Sequence, residues 1–491
     1  MKKQAILIKK QQQESCISEF NNFVQKPIFM KKHLIVLVVC LMGSSLYAQI
    51  CFEKIITLSD ASTQSQGNAV TQTSDQGFAI AAADNAGGDH GVLIRTNAYG
   101  DTAWTKNFNG RFFGIRETPD GGFILTGTIN GSLLMLKTSP EGETQWENTA
   151  GADAVGFSVC VTNDGGYCFA GVADYAQNKI SKMLLVRTDA DGTVLWSQEY
   201  GNRTNYYLGK SMFQCADGGF IICGYDQTTP FGGESSLCLV KTKSGGSLEW
   251  RRSYHKSFTE TGWVVMPSGE TGFLAVGTTN APSFLNFYLV KTDLLGDTIW
   301  TKTIAVRQLG SALSATTVAQ GGYLLTATVN DAVSNSNNIQ LIRINDNGDT
   351  LWTRQVGSMD HEYVFSTEQT SDQGFIICGS IYKSSTQIMR TYLVKTDSLG
   401  YYPLVSVPGM EAETGLLVFP NPTSDIISVV VPENTLTIEL CNMQGCIIDK
   451  ISVADEHARK LQLKLSGYSP GIYLVKVVTT ENLFTRKILK L

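Results

Sequence analysis

The sequence predicts an all-β chain, a seven-bladed β-propeller followed by a small antiparallel β-sandwich. Three observations point there. One phrase, a turn followed by Gly-aromatic and an apolar strand, recurs at Gly77-Phe78, Gly122-Phe123, Gly166-Tyr167, Gly219-Phe220, Gly272-Phe273, Gly322-Tyr323 and Gly374-Phe375. Each occurrence lies in a unit of four short strand patterns, and units recur every 44 to 53 residues. Charged residues are 17%, hydrophobic residues 43% and glycines 47 in number, so an ordered β protein fits and a disordered chain does not.

Within a unit, strand a precedes the Gly-aromatic pair and strand b begins at it. Strand c ends in Arg95, Lys137, Arg187, Lys241, Lys291, Arg343 or Lys395. Strand d carries Trp104, Trp146, Trp196, Trp250, Trp300 or Trp352, and the seventh unit has no such strand. Its replacement stands near the start of the chain, where Phe52-Glu53-Lys54 aligns with Trp104-Thr105-Lys106. The first strand is therefore expected to complete the last blade and remove a free edge. Eight residues before each repeated glycine stand Ala69, Gly114, Ser158, Ser211, Val264, Ser314 and Ser366, small enough for strands converging on an axis. On strand b, Ala82, Gly127, Gly171, Gly224, Gly277, Ala327 and Gly379 are read as allowing blades to approach closely.

The seven cations ending strand c do not predict an anion site. Each lies at the end of the blade where the a–b turn brings Asp75, Asp120, Asp164, Asp217 or Asp372, so local ion pairs that hold turns are expected. The c–d turns read Thr-Asp-x-x-Gly-Asp-Thr-x-Trp at their fullest, from Thr292 to Trp300. They lack the alternating ligands and terminal glutamate of a calcium loop. They resemble the Asp-box of sialidases but are offset by one residue and come without that family's arginine motif, so sialidase activity is not expected. No zinc spacing, phosphate loop or nucleophile motif appears, and no cofactor or metal is expected.

Residues 1–48 read as a targeting segment. Lys31, Lys32 and His33 precede the apolar run Leu34 to Met42, and Ala48 ends a small-residue stretch suited to cleavage. Residues 1–29 carry no targeting logic and read as an upstream extension before Met30. The apolar run is too short for a permanent anchor. A net charge of -5 argues against nucleic acid as a partner. Nine of the 11 cysteines follow Ala48, mostly at positions suited to small buried side chains. Cys441 and Cys446 flank a turn and are candidates for a disulfide.

The propeller is expected over residues 49–400, a linker over 401–415 and the sandwich over 416–491. In the last segment Phe419-Pro420-Asn421-Pro422-Thr423 opens a series of alternating strands. Asn442 to Gly445 makes a hairpin turn, Pro470-Gly471-Ile472-Tyr473 starts a strand, and Arg486-Lys487-Ile488-Leu489-Lys490 ends the chain. These motifs resemble the type A C-terminal sorting domain of type IX secretion in Bacteroidetes, with Pro420, Asn421, Pro422, Gly445, Gly471, Tyr473 and Lys487 as the matching positions. Asn442 and Cys446 depart from the usual residues. The resemblance implies passage through the periplasm to the type IX machinery and outer membrane, removal of the domain by a sorting peptidase, and a secreted or cell-surface location.

The d–a and b–c connections are longer and more variable than the other turns, and function favours such loops. Tyr206, Tyr207, Tyr254, His255, His361 and Tyr363 are the candidate ligand-binding residues there, since aromatic side chains on a rigid ring suit stacking on sugars or anchoring a protein. The expected function is binding of a glycan or a protein. The alternative is a carbohydrate-active lyase or hydrolase using the histidines and a carboxylate, which requires them to converge on one pocket. Asp360-His361-Glu362 is expected to be solvated surface, and no catalytic residue is assigned.

Overall fold

The computed structural model describes residues 49–402 apart from 59–63, 85–89, 176–179, 203, 230–232, 258, 281–284, 307–308, 332–335 and 359, and residues 416–490 apart from 420–422, 424, 432–434, 443–446, 454–459, 470 and 481–482. The chain divides into two compact units, with the boundary between Pro403 and Leu404. The expected signal peptide over residues 1–48, most of the expected linker, Pro420, Asn421, Pro422, Gly445 and the Cys446 partner of the candidate disulfide lie outside the described residues. Among the described residues no helix is long and apolar enough to cross a membrane.

The described residues of the first unit form seven four-stranded antiparallel sheets. Six are built from consecutive strands. The seventh takes its outermost strand, Phe52–Ile56, from the beginning of the described chain, paired antiparallel with Ile388–Thr396 so that Ile55 faces Tyr392. The ring closes between the last blade and the first. Phe52, Ile56, Ile376, Cys378 and Leu393 share one core with Val70, Phe78, Ile80 and Ile94. The Ser65 hydroxyl of the first blade accepts from the Thr391 N–H at 3.0 Å.

Seams between blades repeat one chemistry. The tryptophan of each outer strand packs under the c–d turn glycine of the next blade. Gly192, at φ 83°, lies against Trp146, and a side chain there would collide with the indole. Phe52 plays the tryptophan's part for Gly100 of the first blade. The same ring also meets Phe78 edge-on, with centroids 5.8 Å apart, as Trp104 meets Phe123 at 6.4 Å. Lys54 on the closing strand pairs with Asp101 at 2.7 Å, matching Lys106 with Glu143 at 2.6 Å one blade later. The closing strand thus reproduces the seam rather than merely filling an edge.

The expected turn pairs are present in five blades. Arg95 meets Asp75 at 2.5 Å, Lys137 meets Asp120 at 2.8 Å, Lys241 meets Asp217 at 2.6 Å, Lys395 meets Asp372 at 3.0 Å, and Arg187 pairs with Asp164. Burial works to raise the Asp120 carboxyl. The Lys137 ammonium, the Thr118 hydroxyl and the Gly122 N–H outweigh it and hold that carboxyl at about 2. The other two cations bond carbonyls: Lys291 donates to Asp346 O at 3.1 Å, and Arg343 donates to Tyr323 O at 3.2 Å.

The glycines of strand b have a second cause beside the close approach of blades, which brings Gly224 O of one blade against Gly262 of the next. A side chain at Gly127 or Gly224 would strike the carbonyl of Arg111 or Leu208 in the same blade. Those carbonyls belong to residues two places before the bulged residue of strand a.

The second unit is a β-sandwich. A three-stranded sheet (Leu417–Phe419, Ile426–Val430, Lys460–Lys464) and a four-stranded sheet (Ile447–Ser452, Thr435–Cys441, Gly471–Thr479, Leu483–Lys490) enclose one core. Ile427, Val429 and Leu463 contribute from the first sheet, and Ile438, Leu440, Val475, Val477 and Ile488 from the second. Gly471 begins its strand at φ 155°, and the Tyr473 hydroxyl donates to Ser469 O at 2.7 Å.

Candidate functional site

The inner strands of the seven blades are Ser65–Gln72, Arg111–Glu117, Val155–Val161, Tyr206–Gln214, Glu260–Pro267, Leu309–Thr317 and His361–Gln369. They line a cavity of about 820 Å³ on the axis. An inner strand has a neighbour on one side only, so its other edge leaves backbone N–H groups without a ladder partner. Four serines answer this. Ser158, Ser211, Ser314 and Ser366 accept from the N–H of Met212, Val265, Thr367 and Val70, each on the next blade, at 3.1 to 3.3 Å. The small side chain read from the sequence is therefore also a connector between blades.

The residue before that small position carries the site. In six blades the pairing of strands a and b shifts there, and the extra residue is Asn68, Phe113, Phe157, Lys210, Trp263 or Phe365. All six line the cavity. A bulge re-aims one side chain away from the sheet's alternation, and here it aims each at the axis. The sixth blade is irregular over a longer stretch, between Leu309 and Leu313.

The result is an aromatic wall around one cation. The rings of Phe113 and Phe157 lie 5.5 Å apart. Lys210 Nζ stands 3.8 Å from the Phe157 ring centroid and 5.4 Å from that of Trp263. Trp263 is held by a hydrogen bond from its Nε1 to Thr261 Oγ1 at 3.0 Å. Lys210 sits deep among protein atoms, with its remaining exposed surface toward the cavity it lines. Burial pulls its ammonium down to about 8. Two aromatic faces contribute about 2 kcal/mol or less each to holding such a cation, short of the several kcal/mol that desolvation costs. Among the described residues Lys210 has no carboxylate within ion-pair distance. The cavity's other charges, Arg116 and Glu368, pair with each other at 2.9 Å. Asn68 donates to Phe112 O at 2.7 Å and accepts from Gln66 Nε2 at 2.8 Å.

The loop residues singled out by sequence fall elsewhere, and none lines the cavity. Tyr207 is buried, its N–H bonded to Ser181 O at 3.0 Å and Arg251 packed 5.1 Å from its ring. Tyr254 is buried with its hydroxyl on Gly296 O at 2.7 Å, a seam contact. Tyr206 is half-buried at the start of its inner strand. His255 is exposed, with Nδ1 3.2 Å from Glu260 Oε2. The structure does bring His361 and Tyr363 together. Asn337 donates its N–H to His361 Nδ1 at 3.3 Å and its Nδ2 to the Tyr363 hydroxyl at 3.0 Å. Among the described residues the two histidines share no partner.

Glu362 overturns the reading of its triplet as solvated surface. It is fully buried and accepts from the Ser358 N–H at 3.1 Å and the Ser358 hydroxyl at 2.6 Å. Burial outweighs these bonds and pushes its carboxyl up to about 7. Glu260, also fully buried, holds the corresponding connection two blades earlier through the N–H groups of Ser257 at 2.8 Å and Lys256 at 3.2 Å. The carboxylates serve the loops that lead into the inner strands.

Comparison with known proteins separates the two units. Residues 417–490 match the family model of the secretion system C-terminal sorting domain. The second unit is a type IX sorting domain. The sorting domain occupies a minor part of the chain, and it implies export to the cell surface or the medium. No curated protein matches the sequence. Similar solved structures include a streptogramin B lyase (11% identity, TM-score 0.45, covering 71% of this chain and 99% of that one) and the Penicillium chrysogenum α-L-arabinanase complexed with arabinobiose (11%, 0.42, 71% and 97%). A protein of unknown function from Bacteroides caccae matches at 12% and 0.38, covering 60% and 94%. At these identities and scores they carry no argument about a ligand or a reaction.

Proposed function

We propose that this exported protein works outside the cell by binding, and that its ligand, or the end of a larger glycan or protein, enters the axial channel of the propeller. One observation carries the reading. Six bulges, each of which breaks the alternation of its strand, deliver six side chains of four kinds to one cavity large enough for a small molecule. The walls combine aromatic faces with polar groups, and a binding pocket needs both. The sorting domain supplies the route, through the type IX machinery and its sorting peptidase.

The test is a screen of the full chain against glycans, peptides and small acids by ligand-observed NMR, repeated with Phe157→Ala/Trp263→Ala. Ligands of the wild type are expected to lose at least ~10-fold in affinity in that variant. Ligands that ignore it but are lost in Tyr206→Ala/Tyr363→Ala would move the site to the loop face and overturn the reading. A screen without any ligand would overturn it as well.

A further inference from the structure

We infer that the channel selects a small monoanion, a carboxylate attached to a flat apolar body, with Lys210 as the anion-recognising residue and Phe157, Trp263 and Phe365 as the walls for the body. The inference rests on the channel being the binding site and adds the chemistry of what it takes.

The charge count inside the cavity is the first support. Arg116 and Glu368 cancel as an ion pair, which leaves the Lys210 ammonium as the uncompensated charge among the described lining residues. A cation in that position complements one negative charge, not two. The second support is that the described residues of the elements around Lys210 offer it no anion. Its own strand, Tyr206–Gln214, carries no other charged residue, and neither does Val155–Val161 on one side. On the other side Glu260–Pro267 carries only Glu260, which is engaged by Lys256, Ser257 and His255. Farther out, Lys182 is paired with Glu199, Arg187 with Asp164, and Asp226 accepts from Ser253. The third support is geometry. Lys210 follows Phe157 and precedes Trp263 around the ring, so an anion reaching Nζ brings the rest of its molecule between aromatic faces. Asn68 on the first blade and Phe365 on the seventh line the same cavity, where they offer an amide and an apolar surface.

Phenylacetate and phenylacetamide are suitable probes, since they share a ring and differ in one charge. Calorimetric titration of the full chain is expected to show phenylacetate binding at least ~10-fold more tightly. Lys210→Met should remove that preference and Lys210→Arg should keep it. The preference of the wild type should fall between pH 7 and pH 9 as the ammonium loses its proton, whereas that of Lys210→Arg should not. Equal affinity for the two probes, or a preference that survives Lys210→Met, would overturn the inference while leaving the channel as a binding site. Binding of both probes that ignores Phe157→Ala/Trp263→Ala would instead overturn the reading beneath it.

Discussion

The blade edges and the blade axis follow opposite rules. At the turns, the same chemistry appears again and again: a basic residue ending strand c meets an aspartate of the a–b turn in five blades, and an aromatic ring of strand d meets a turn glycine of the next blade all the way round, Phe52 included. At the bulge of strand a, six equivalent positions hold Asn, Phe, Phe, Lys, Trp and Phe. Repetition at one structural position means that the scaffold demands the residue. Variation at an equally well-defined position means that the scaffold does not, and the side chain is available for something else.

The largest expected effect comes from breaking repetition at the closure. Deleting residues 49–57 should abolish the cooperative unfolding transition of the propeller, because it exposes a strand edge and opens a seam. Phe52→Ala is a milder break and should cost about 3–5 kcal/mol in denaturant titration. If either variant unfolded like the wild type, the closing strand would be decoration.

Glu362 sharpens the comparison through pH. Its carboxyl sits near 7 in the fold against an ordinary 4.5, so the folded state holds a proton that the unfolded chain has released. Stability should therefore fall as pH rises from about 4.5 through about 7, by on the order of 2–3 kcal/mol. Glu362→Gln keeps an acceptor for Ser358 and should flatten that slope, making the variant the more stable protein at pH 8. Parallel slopes in chemical denaturation from pH 4.5 to pH 8 would refute the assignment.

The turn pairs should matter less, because the aspartates are partly exposed. Asp120→Ala leaves the buried Lys137 ammonium with Thr138 O and Gln145 Oε1 as its remaining partners, and should cost about 1–2 kcal/mol. Asp120 is held below its unfolded value, so this contribution is complete above about pH 4 and is lost as pH falls toward 2. No change in midpoint at pH 7 would show the pair to be without effect. The smallest change is expected at the axis. Phe113→Ser should alter stability by less than about 1 kcal/mol, as its half-buried ring faces the cavity. A loss comparable to that of Phe52→Ala would make the bulge ring scaffold after all.

The architecture was readable because the repeat writes it seven times. The Gly-aromatic pair, the basic end of strand c and the tryptophan each mark one position in a blade, and the orphan strand at Phe52 announces the closure. The channel was harder to see. Its residues stand one place before the small residue of strand a, and they differ from blade to blade, so a search for recurrence passes over them. The trace they do leave is a broken alternation, as in Phe112-Phe113-Gly114, where consecutive residues face opposite demands: Phe112 is fully buried in the blade and Phe113 lines the channel. The loop residues drew notice through their aromatic character, yet Tyr207 and Tyr254 owe their presence to packing within and between blades.

By itself the sequence determined the strand pattern, the number of blades, the pairing of first strand with last, and the sorting motif, because each depends on local propensity and on chemistry repeated along the chain. Only the tertiary structure decided which side chains share the axis. A bulge shifts register by one residue, and its consequence appears when inner strands from blades hundreds of residues apart in sequence are brought to a common centre. Lys210 is an ordinary basic residue in the sequence. Among the described residues it is a cation without a counter-charge, with Phe157, 53 positions before it, and Trp263, 53 positions after, folded onto either side.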